Sequence, residues 1–255
     1  MEKKRQQNIK QTIRSNYGKI ALEESSKDAC CGPGCCSSPS PSMAATEVGY
    51  DSKELQTIPE ASVLGVGCGA PVKFANLQKG ETVVDLGSGA GIDVFLSAND
   101  VGATGNVIGI DMTDEMLERA RRNAKNNNYS NVEFKKGDIE KRIPVSSNSV
   151  DAVISNCVIN LTTNKVKAFK EVLRILKSGG RMVISDLVAD RKADKIDADQ
   201  WSACIDGAIP KQDYLASINK AGFSDATVLV EREFAGGELV GGRKITSIVV
   251  RAVKS

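Results

Sequence analysis

Three cysteines lie in separate short motifs of this 255-residue chain: Cys68 in GVGCGAP, Cys157 in ISNCVINL and Cys204 in WSACIDGA. The sequence contains no histidine, so the imidazole that most often moves protons or binds metals in enzymes is missing. Chemistry must therefore rest on thiolates, carboxylates, hydroxyls, amines or a cofactor. Three thiolates that face one cofactor would favour a soft, thiophilic substrate.

The three cysteines differ in their surroundings. Cys157 follows the fourth predicted strand, at the sheet edge where a ligand would lie, and Cys204 lies after the fifth strand in a segment able to act as a lid. Cys68 stands between Gly67 and Gly69, which predicts an unusually accessible thiol. Taken singly, each cysteine could instead be a small buried apolar residue.

A glycine-rich turn indicates where a cofactor binds. Residues 85–91 read DLGSGAG and lie between a β-branched run and a segment with helical spacing. The GxGxG spacing lets a ligand approach the backbone, and it suits a nucleoside with an amino-acid tail at least as well as a pyrophosphate. Asp111 is placed to bind a ribose diol, and Asp138 lies where an adenine amino group could be read.

Strand and helix patterns alternate from Glu81 onward. The predicted strands are ETVVDLG, NVIGID, VEFKKGD, VDAVISN and GRMVISD, and the predicted helices are GIDVFLSANDVG, TDEMLERARRNAKNN and KVKAFKEVLRILKSGG, the last ending at Gly179 and Gly180. This alternation predicts an α/β fold with a doubly wound, mostly parallel sheet. The runs ATVLVEREF and KITSIVVRAV predict a C-terminal hairpin that adds an antiparallel strand.

Composition narrows the class of protein. The chain carries 34 basic and 32 acidic residues, a net charge of +2, and this balance predicts no nucleic-acid or membrane partner. No apolar stretch approaches the roughly 18 residues of a membrane span, and the start MEKKRQQNIKQ lacks the apolar core of a secretory signal. Seven cysteines without such a signal predict reduced thiols and a cytoplasmic location.

Four consecutive motifs, VVDLGSGAG, GIDMTDEML, KKGDIE and LKSGGRMVISD, resemble those of S-adenosylmethionine-dependent methyltransferases over about residues 75–190. The resemblance implies a seven-stranded sheet of order 3-2-1-4-5-7-6 with the last strand antiparallel, and S-adenosylmethionine as methyl donor. It also implies a set of cofactor-binding residues: Asp85, Gly87, Ser88, Gly89, Gly91, Asp111, Met112, Asp138, Ile139 and Asn156.

A more specific resemblance is carried by the cysteine motifs. GCGAP, SNCVINL and WSACIDGA, together with YGKIA before a cysteine-rich loop, resemble the arsenite methyltransferases. The resemblance implies that Cys68, Cys157 and Cys204 are the catalytic residues and bind As(III), so that arsenite is methylated and thereby detoxified. A thioredoxin- or glutathione-type thiol reductant would restore the enzyme. The chain ends soon after the hairpin, which predicts a short form of the family.

Three regions follow from these patterns. We expect an N-terminal helix and Cys-rich segment in 1–60, the S-adenosylmethionine-binding core in 61–188, and an arsenic-binding lid with the closing hairpin in 189–255. The first region contains CCGPGCC, which could bind a soft metal or supply a fourth thiol, although its spacing is not that of ordinary zinc sites. A flexible, oxidation-prone tail is the alternative reading of its four cysteines: Cys30, Cys31, Cys35 and Cys36.

Two other functions remain open at this stage. The chain could methylate a small organic acceptor, with the cysteines merely structural, and activity would then survive the loss of Cys157. It could also be a metalloid-binding sensor on a methyltransferase scaffold, which would bind arsenite without turnover. We favour arsenite methylation because three cysteines from separate segments flank the expected methyl position.

Overall fold

The computed structural model describes residues 2–22 and 40–255. The CCGPGCC segment, for which the sequence leaves open a soft-metal site and an oxidation-prone tail, therefore lies outside the described residues. Within the described ranges, no helix combines the length and the apolar character needed to cross a membrane.

One sheet organises the chain. Its strands are β1 (Thr82–Leu86), β2 (Asn106–Asp111), β3 (Val132–Lys136), β4 (Val150–Asn156), β5 (Leu176–Ala189), β6 (Thr227–Glu233), β7 (Leu239–Val240) and β8 (Arg243–Val253). The order is β3-β2-β1-β4-β5-β8-β6, with β7 paired to β8. β1 to β5 are parallel, and β8 is antiparallel to both β5 and β6. The predicted fold and strand arrangement are confirmed. Because the short β7 is numbered separately, the strand predicted as number seven is β8.

The helices are α1 (Glu2–Leu22), α2 (Pro41–Glu47), α3 (Ser52–Leu55), α4 (Val72–Ala75), α5 (Ile92–Val101), α6 (Asp114–Asn126), α7 (Lys165–Ile175), α8 (Ala198–Ser202) and α9 (Lys211–Ala221). The predicted end of α7 at Gly179 and Gly180 is wrong. Leu176 has an extended backbone (φ −62°, ψ 140°) and pairs with Val150 as the first residue of β5. The pairing of Leu176 with β4 and its complete burial stabilise the extended backbone more than another helical turn would.

Two apolar cores cover the two faces of the sheet. Val84 and Leu86 of β1 lie in one core with Phe169 of α7. Val83, one residue away, lies in the other core with Phe95 of α5. This alternation is the period of two expected of a strand buried on both faces, and each fully buried Leu or Phe side chain contributes about 1.5–3 kcal/mol.

The carboxyl ends of the parallel strands β1, β2, β4 and β5 meet at one edge of the sheet. α1 lies across this edge and contacts both α6 and α8. Side chains that follow the strands are therefore brought together beneath a helix from the start of the chain, which sets the position of the candidate site.

Candidate functional site

A cavity of about 500 Å³ opens at this edge of the sheet. Of the residues proposed from sequence, all but Gly91 line it: Cys68, Asp85, Gly87, Ser88, Gly89, Asp111, Met112, Asp138, Ile139, Asn156, Cys157 and Cys204. The glycine-rich turn and the three cysteines thus share one space.

The glycine-rich turn follows β1 and needs left-handed backbone at three positions. Gly87, Gly89 and Gly91 have φ values of 68°, 51° and 103°, which residues with a Cβ rarely adopt. A Cβ on Gly89 would meet only the Met116 sulfur, at 3.9 Å, so the turn leaves open space there. A Cβ on Gly91 would instead stand 2.7 Å from the Phe95 ring. Gly91 therefore serves the packing of the turn against α5.

Three carboxylates gather behind the turn: Asp85 and Asp93, which are buried, and Asp111, which is partly exposed. Burial raises the pKa of Asp85, and the charges of Asp93 and Asp111 add to the rise. Burial also raises the pKa of Asp93 to about 6, although the Tyr50 hydroxyl donates to both of its oxygens at 2.9 and 2.8 Å. Because these groups repel one another in a low-dielectric site, a positively charged ligand would relieve the repulsion.

The two acids at strand ends already have protein partners. Asp111 accepts hydrogen bonds from the backbone N–H of Gly89 (2.9 Å) and of Thr113 (2.8 Å), so it fixes the glycine-rich turn. Asp138 accepts from the Lys10 ammonium of α1 at 2.9 and 2.8 Å, and the same ammonium lies 2.6 Å from Glu140. Sequence reasoning missed Lys10.

The three cysteines come together on the opposite side of the cavity. The sulfurs of Cys68 and Cys157 lie within 4.8 Å of each other and of an oxygen of Asp186. The Cys204 thiol donates to the backbone carbonyl of Cys157 at 2.8 Å. Trp201 anchors this segment by donating from its indole N–H to the Leu161 carbonyl at 3.1 Å.

The predicted accessibility of the Cys68 thiol is wrong, because Cys68 is only 4% exposed. Its glycine neighbours bring the loop close to the sheet, and a Cβ on Gly69 would overlap the Ser185 hydroxyl. The Ser247 hydroxyl donates to the Cys68 carbonyl at 2.5 Å. The glycines therefore allow burial of the thiol instead of its exposure.

Two of the cysteines have a strained backbone. Cys157 and Cys204 have φ values of 60° and 65°, in the left-handed region that favours glycine. Such a conformation costs on the order of 1–3 kcal/mol and persists where the surrounding structure enforces it, most often at functional sites. Here the Cys157 N–H donates to the Ser185 carbonyl at 2.8 Å and the Cys204 N–H to the Trp201 carbonyl at 3.0 Å.

Cys157 and Cys68 are held in their protonated form. Hydrogen bonds with the Cys204 and Cys68 thiols, followed by burial, raise the pKa of Cys157 well above its usual range. Burial raises the pKa of Cys68; the hydrogen bond with Cys157 opposes this rise and the charge of Asp186 adds to it. At neutral pH both groups are therefore thiols and not thiolates.

Comparison with known proteins places the chain in a family. The family model described as a methyltransferase domain matches residues 77–222. This chain belongs to the methyltransferase family. The strand order and the glycine-rich turn after β1 agree with this assignment.

Close relatives within this family carry a narrower name. The chain is 39% identical to the arsenite methyltransferase of Halobacterium salinarum over 88% of its length and 59% of the relative's. It is 33% identical to that of Mus musculus over 80% of its length and 58% of the relative's. The chain therefore spans less than two thirds of these relatives.

A solved structure of an enzyme named for the same activity is also similar to this chain. The arsenic(III) S-adenosylmethionine methyltransferase of Chlamydomonas reinhardtii matches with a TM-score of 0.64 and 31% identity, over 86% of this chain and 75% of that one. The resemblance to arsenite methyltransferases stated from sequence is confirmed.

Asn156 holds the Cys68 loop through its side chain, and its expected contact with the cofactor stays a prediction. Its side-chain N–H donates to the Gly69 carbonyl at 2.6 Å and to the Tyr50 hydroxyl at 2.8 Å, and its oxygen accepts from the Cys68 N–H at 3.0 Å. Although Asn156 lines the cavity, its hydrogen bonds hold the Cys68 loop. The chain of contacts Asp93–Tyr50–Asn156–Cys68 links the two sides of the cavity.

Sequence reasoning also missed a buried polar group below the thiols. Burial raises the pKa of Asp186 to about 7, and the Tyr214 hydroxyl donates to this carboxylate at 3.0 Å. Burial lowers the pKa of Lys165 to about 8, and its ammonium donates to the Gly207 carbonyl at 2.8 Å. The position of Asp186 could have been predicted from sequence, because it ends the predicted strand GRMVISD at the same sheet edge as Asn156.

Proposed function

We propose that this methyltransferase moves the methyl group of S-adenosylmethionine to trivalent arsenic bound by Cys68, Cys157 and Cys204. The observation that carries the proposal is the meeting of these three cysteines, from three separate segments, in the cavity that also holds the glycine-rich turn. The names of the relatives agree with it. Methylated arsenicals would be the products, as expected of arsenic detoxification.

The cavity fits the methyl donor. The buried Ser88 hydroxyl has no hydrogen-bond partner among the described residues, and Gly89 leaves open space beside it. The repelling carboxylates Asp85 and Asp111 suit the ammonium and sulfonium charges of S-adenosylmethionine. When bound, this cofactor supplies an electrophilic methyl group. The residues that would hold it are Asp85, Gly87, Ser88, Gly89, Asp111, Met112, Asp138 and Ile139.

Neutral thiols suit the uptake of arsenite. Arsenite enters as As(OH)₃, and each thiol proton leaves with one arsenic hydroxyl as water, so three As–S bonds form and three waters are released. Because the protons leave with the hydroxyls, no general base is needed, in agreement with the absence of histidine. The raised pKa values of Cys68 and Cys157 preserve the protonated state that this exchange uses.

The thiol side then orients the arsenic for methyl transfer. The arsenic lone pair forms the As–C bond, while the methyl–sulfur bond of the donor breaks and its electron pair returns to that sulfur. Cys157 and Cys204 hold the arsenic on a strained, well-supported backbone. We expect positioning to account for most of the rate enhancement, up to about 7–11 kcal/mol.

Methylation oxidises arsenic to As(V), and the cysteines can reverse this. Elimination of the Cys68 and Cys157 sulfurs as a disulfide would return an electron pair to arsenic, which would then take a hydroxyl from water with release of a proton. The separation of the two sulfurs, within 4.8 Å, supports this pairing. An external thioredoxin- or glutathione-type thiol would then reduce the disulfide, which requires a reducing compartment such as the cytoplasm. Trapping a Cys68–Cys157 disulfide after one turnover without reductant tests this step; free thiols beside methylated product would contradict it.

The decisive experiment is methyl transfer itself. Purified protein is incubated with S-adenosylmethionine, arsenite and a thiol reductant, and arsenic species are separated against time for the wild type and Cys157→Ser. We expect methylated arsenic from the wild type, and a loss of at least about 100-fold in the variant with S-adenosylmethionine binding retained. Tight arsenite binding without product from the wild type would instead indicate a sensor.

A further inference from the structure

Asp186 has no task in the proposed methyl transfer, yet it lies at the thiols. It belongs to β5 and is completely buried. One of its oxygens lies within 4.8 Å of the sulfurs of both Cys68 and Cys157. A buried carboxylate at this distance from two thiols adds an oxygen donor to a sulfur site.

The number and type of donors favour a different ligand from arsenic. Trivalent arsenic forms three bonds and keeps a lone pair, so three sulfurs satisfy it. Divalent d¹⁰ cations such as Zn²⁺ and Cd²⁺ instead take four donors in a tetrahedron and accept both thiolate and carboxylate. The fourth donor, which is surplus for arsenic, is what such a cation requires.

We propose that Cys68, Cys157 and Asp186, with Cys204 as the fourth donor, form a site for one thiophilic divalent cation that competes with arsenite. The cation site itself stands on the donor geometry; only the competition rests on the proposed function. The Cys204 thiol lies against the Cys157 carbonyl and must turn from it to complete the tetrahedron. Binding releases the thiol protons to solvent.

The donors are supported as metal ligands usually are. Tyr214 donates to one Asp186 oxygen at 3.0 Å, and the Leu187 N–H donates to the other at 3.0 Å. Tyr214 is completely buried and its ring packs edge-on against Phe169, with 5.7 Å between ring centres. Hydrogen bonds of this kind fix the orientation of a ligating carboxylate, and their loss commonly lowers metal affinity by about 10–100-fold.

Charge at the site also suits a cation. Three thiolates and a carboxylate carry four negative charges, so a divalent cation is attracted to them and leaves the bound site with excess negative charge. The nearby Lys165 ammonium, which acts on Asp186, offsets part of that excess. By contrast, arsenic bound to three thiolates is neutral and gains little from either charged group. The two ligands should therefore respond differently to the removal of Asp186.

The test uses Cd²⁺ as the probe. Because the four N-terminal cysteines could also bind it, the background variant has all of them changed to Ser: Cys30, Cys31, Cys35 and Cys36. Cd²⁺ binding to the reduced, metal-free protein is followed by the ultraviolet thiolate-to-cadmium absorption, and arsenite binding by equilibrium dialysis. We expect one Cd²⁺ per chain, displaced by excess arsenite.

Asp186→Asn decides the role of the carboxylate. We expect it to lower Cd²⁺ affinity by about 10–100-fold, while arsenite affinity changes by less than about twofold. Asp151→Asn removes a half-buried acid at the other end of β4, where it accepts from the Thr82 N–H away from the cavity, and is the matched control, with unchanged Cd²⁺ affinity. Equal Cd²⁺ affinities for the two variants, or no Cd²⁺ binding in the background variant, would overturn the proposal.

Tyr214→Phe keeps the test decisive if Asp186→Asn fails to fold. It removes only the hydroxyl that orients the carboxylate, and we expect a fall of about tenfold in Cd²⁺ affinity with arsenite affinity unchanged. An unchanged Cd²⁺ affinity in a folded Tyr214→Phe would overturn the proposal.

The two proposals can fail separately. Cd²⁺ binding that depends on Asp186, in a protein that yields no methylated arsenic, would leave the cation site standing and reject the methyl transfer. Methylated arsenic with Cd²⁺ binding independent of Asp186 would reject the cation site alone.

Discussion

The two sides of the cavity are built in different ways. The cofactor side rests on one continuous turn, residues 85–91, and on acids at the ends of neighbouring strands. The thiol side collects Cys68, Cys157 and Cys204 from three distant segments, and two of them have a left-handed backbone. At one sheet edge, the cofactor side is thus formed largely by residues close in sequence, and the thiol side is formed by residues that only tertiary packing brings together.

The two sides also differ in charge. The cofactor side holds buried carboxylates whose raised pKa values reflect burial and mutual repulsion, as for Asp85. The thiol side holds Cys157 and Cys68 as neutral thiols. Under the proposed function, the cationic methyl donor would lie at the carboxylates of the cofactor side, and the neutral arsenic hydroxide would lie at the neutral thiols of the other side.

The largest expected effect comes from Gly87→Ala, because Gly87 lies where the two sides touch. Its φ of 68° is strained for alanine, and an added Cβ would overlap the Val158 side chain next to Cys157. Strain and overlap together should lower the free energy of unfolding by about 2–5 kcal/mol. We expect methyl transfer to fall at least about 100-fold, because both sides of the cavity shift.

Gly89→Ala is the matched control for stability. Gly89 also has a positive φ, but an added Cβ would meet only open space and the Met116 sulfur. Denaturant unfolding should show a loss of about 1–2 kcal/mol, from strain alone. If the two variants are destabilised equally, the close approach of Gly87 and Val158 does not link the cofactor side to the thiol side.

A smaller effect is expected for Asn156→Ala, which tests whether Asn156 supports the thiol side or the cofactor side. The change leaves the Cys68 N–H and the Gly69 carbonyl without their partner, at a cost of about 1–3 kcal/mol. Arsenite affinity should fall about tenfold or more, while S-adenosylmethionine affinity changes only about two- to threefold. Isothermal titration of each ligand measures the two effects.

Tyr50→Phe serves as the control for Asn156→Ala. It removes the hydroxyl between Asn156 and Asp93 but keeps the hydrogen bond from the Cys68 N–H to Asn156. Arsenite affinity should therefore stay near that of the wild type. A larger fall in S-adenosylmethionine affinity than in arsenite affinity for Asn156→Ala would return this residue to the cofactor side.

The reactivity of the Cys157 thiol tests whether the thiol side is neutral, in contrast to the carboxylates of the cofactor side. Because the pKa of Cys157 is raised well above its usual range, little thiolate exists at pH 8, and its fraction should rise tenfold per pH unit up to that pKa. We expect iodoacetamide to label Cys157 at least about tenfold more slowly than free cysteine, whose pKa is about 8.5. Peptide mass mapping separates Cys157 from the other cysteines. Labelling at the rate of free cysteine would show that the thiol is not held protonated.

The cofactor side could be read from sequence because its signals are local. The turn glycines and the positions of Asp85 and Asp111 follow from short motifs and from the rule that parallel strands end at one edge. The strand order is implied by the resemblance to methyltransferases that the same motifs carry. Asp186 obeys the same rule and could have been found in this way.

The thiol side could be read only in part. Its motifs identified the three cysteines, but the burial of Cys68 depends on packing of its loop against Ser185 and Ser247. The link from Lys10 to Asp138 spans 128 positions in the chain, and no periodicity encodes such a contact. The premature end of α7 has the same origin, because the bridge of Leu176 to β4 overrides the local helical pattern.

The smallest expected effect concerns α1, which bridges the two sides. Lys10 holds Asp138 and Glu140 on the cofactor side, and Asn16 donates to the Ser202 hydroxyl at 2.9 Å, two positions before Cys204. Lys10→Met keeps the apolar stem of the side chain but removes the charge. Dissociation of S-adenosylmethionine should become about threefold faster, because α1 loses its anchor over the cavity at a cost of about 0.6 kcal/mol.

Stopped-flow displacement of the cofactor measures this rate, and Lys19→Met is its matched control, because Lys19 is exposed on the same helix. The size of the effect distinguishes two roles for α1. A faster dissociation in Lys10→Met alone means that the ion pair holds α1 over the cofactor side. Equal rates in both variants would mean that the apolar residues of α1, such as the buried Ile13, hold it without help from the charge.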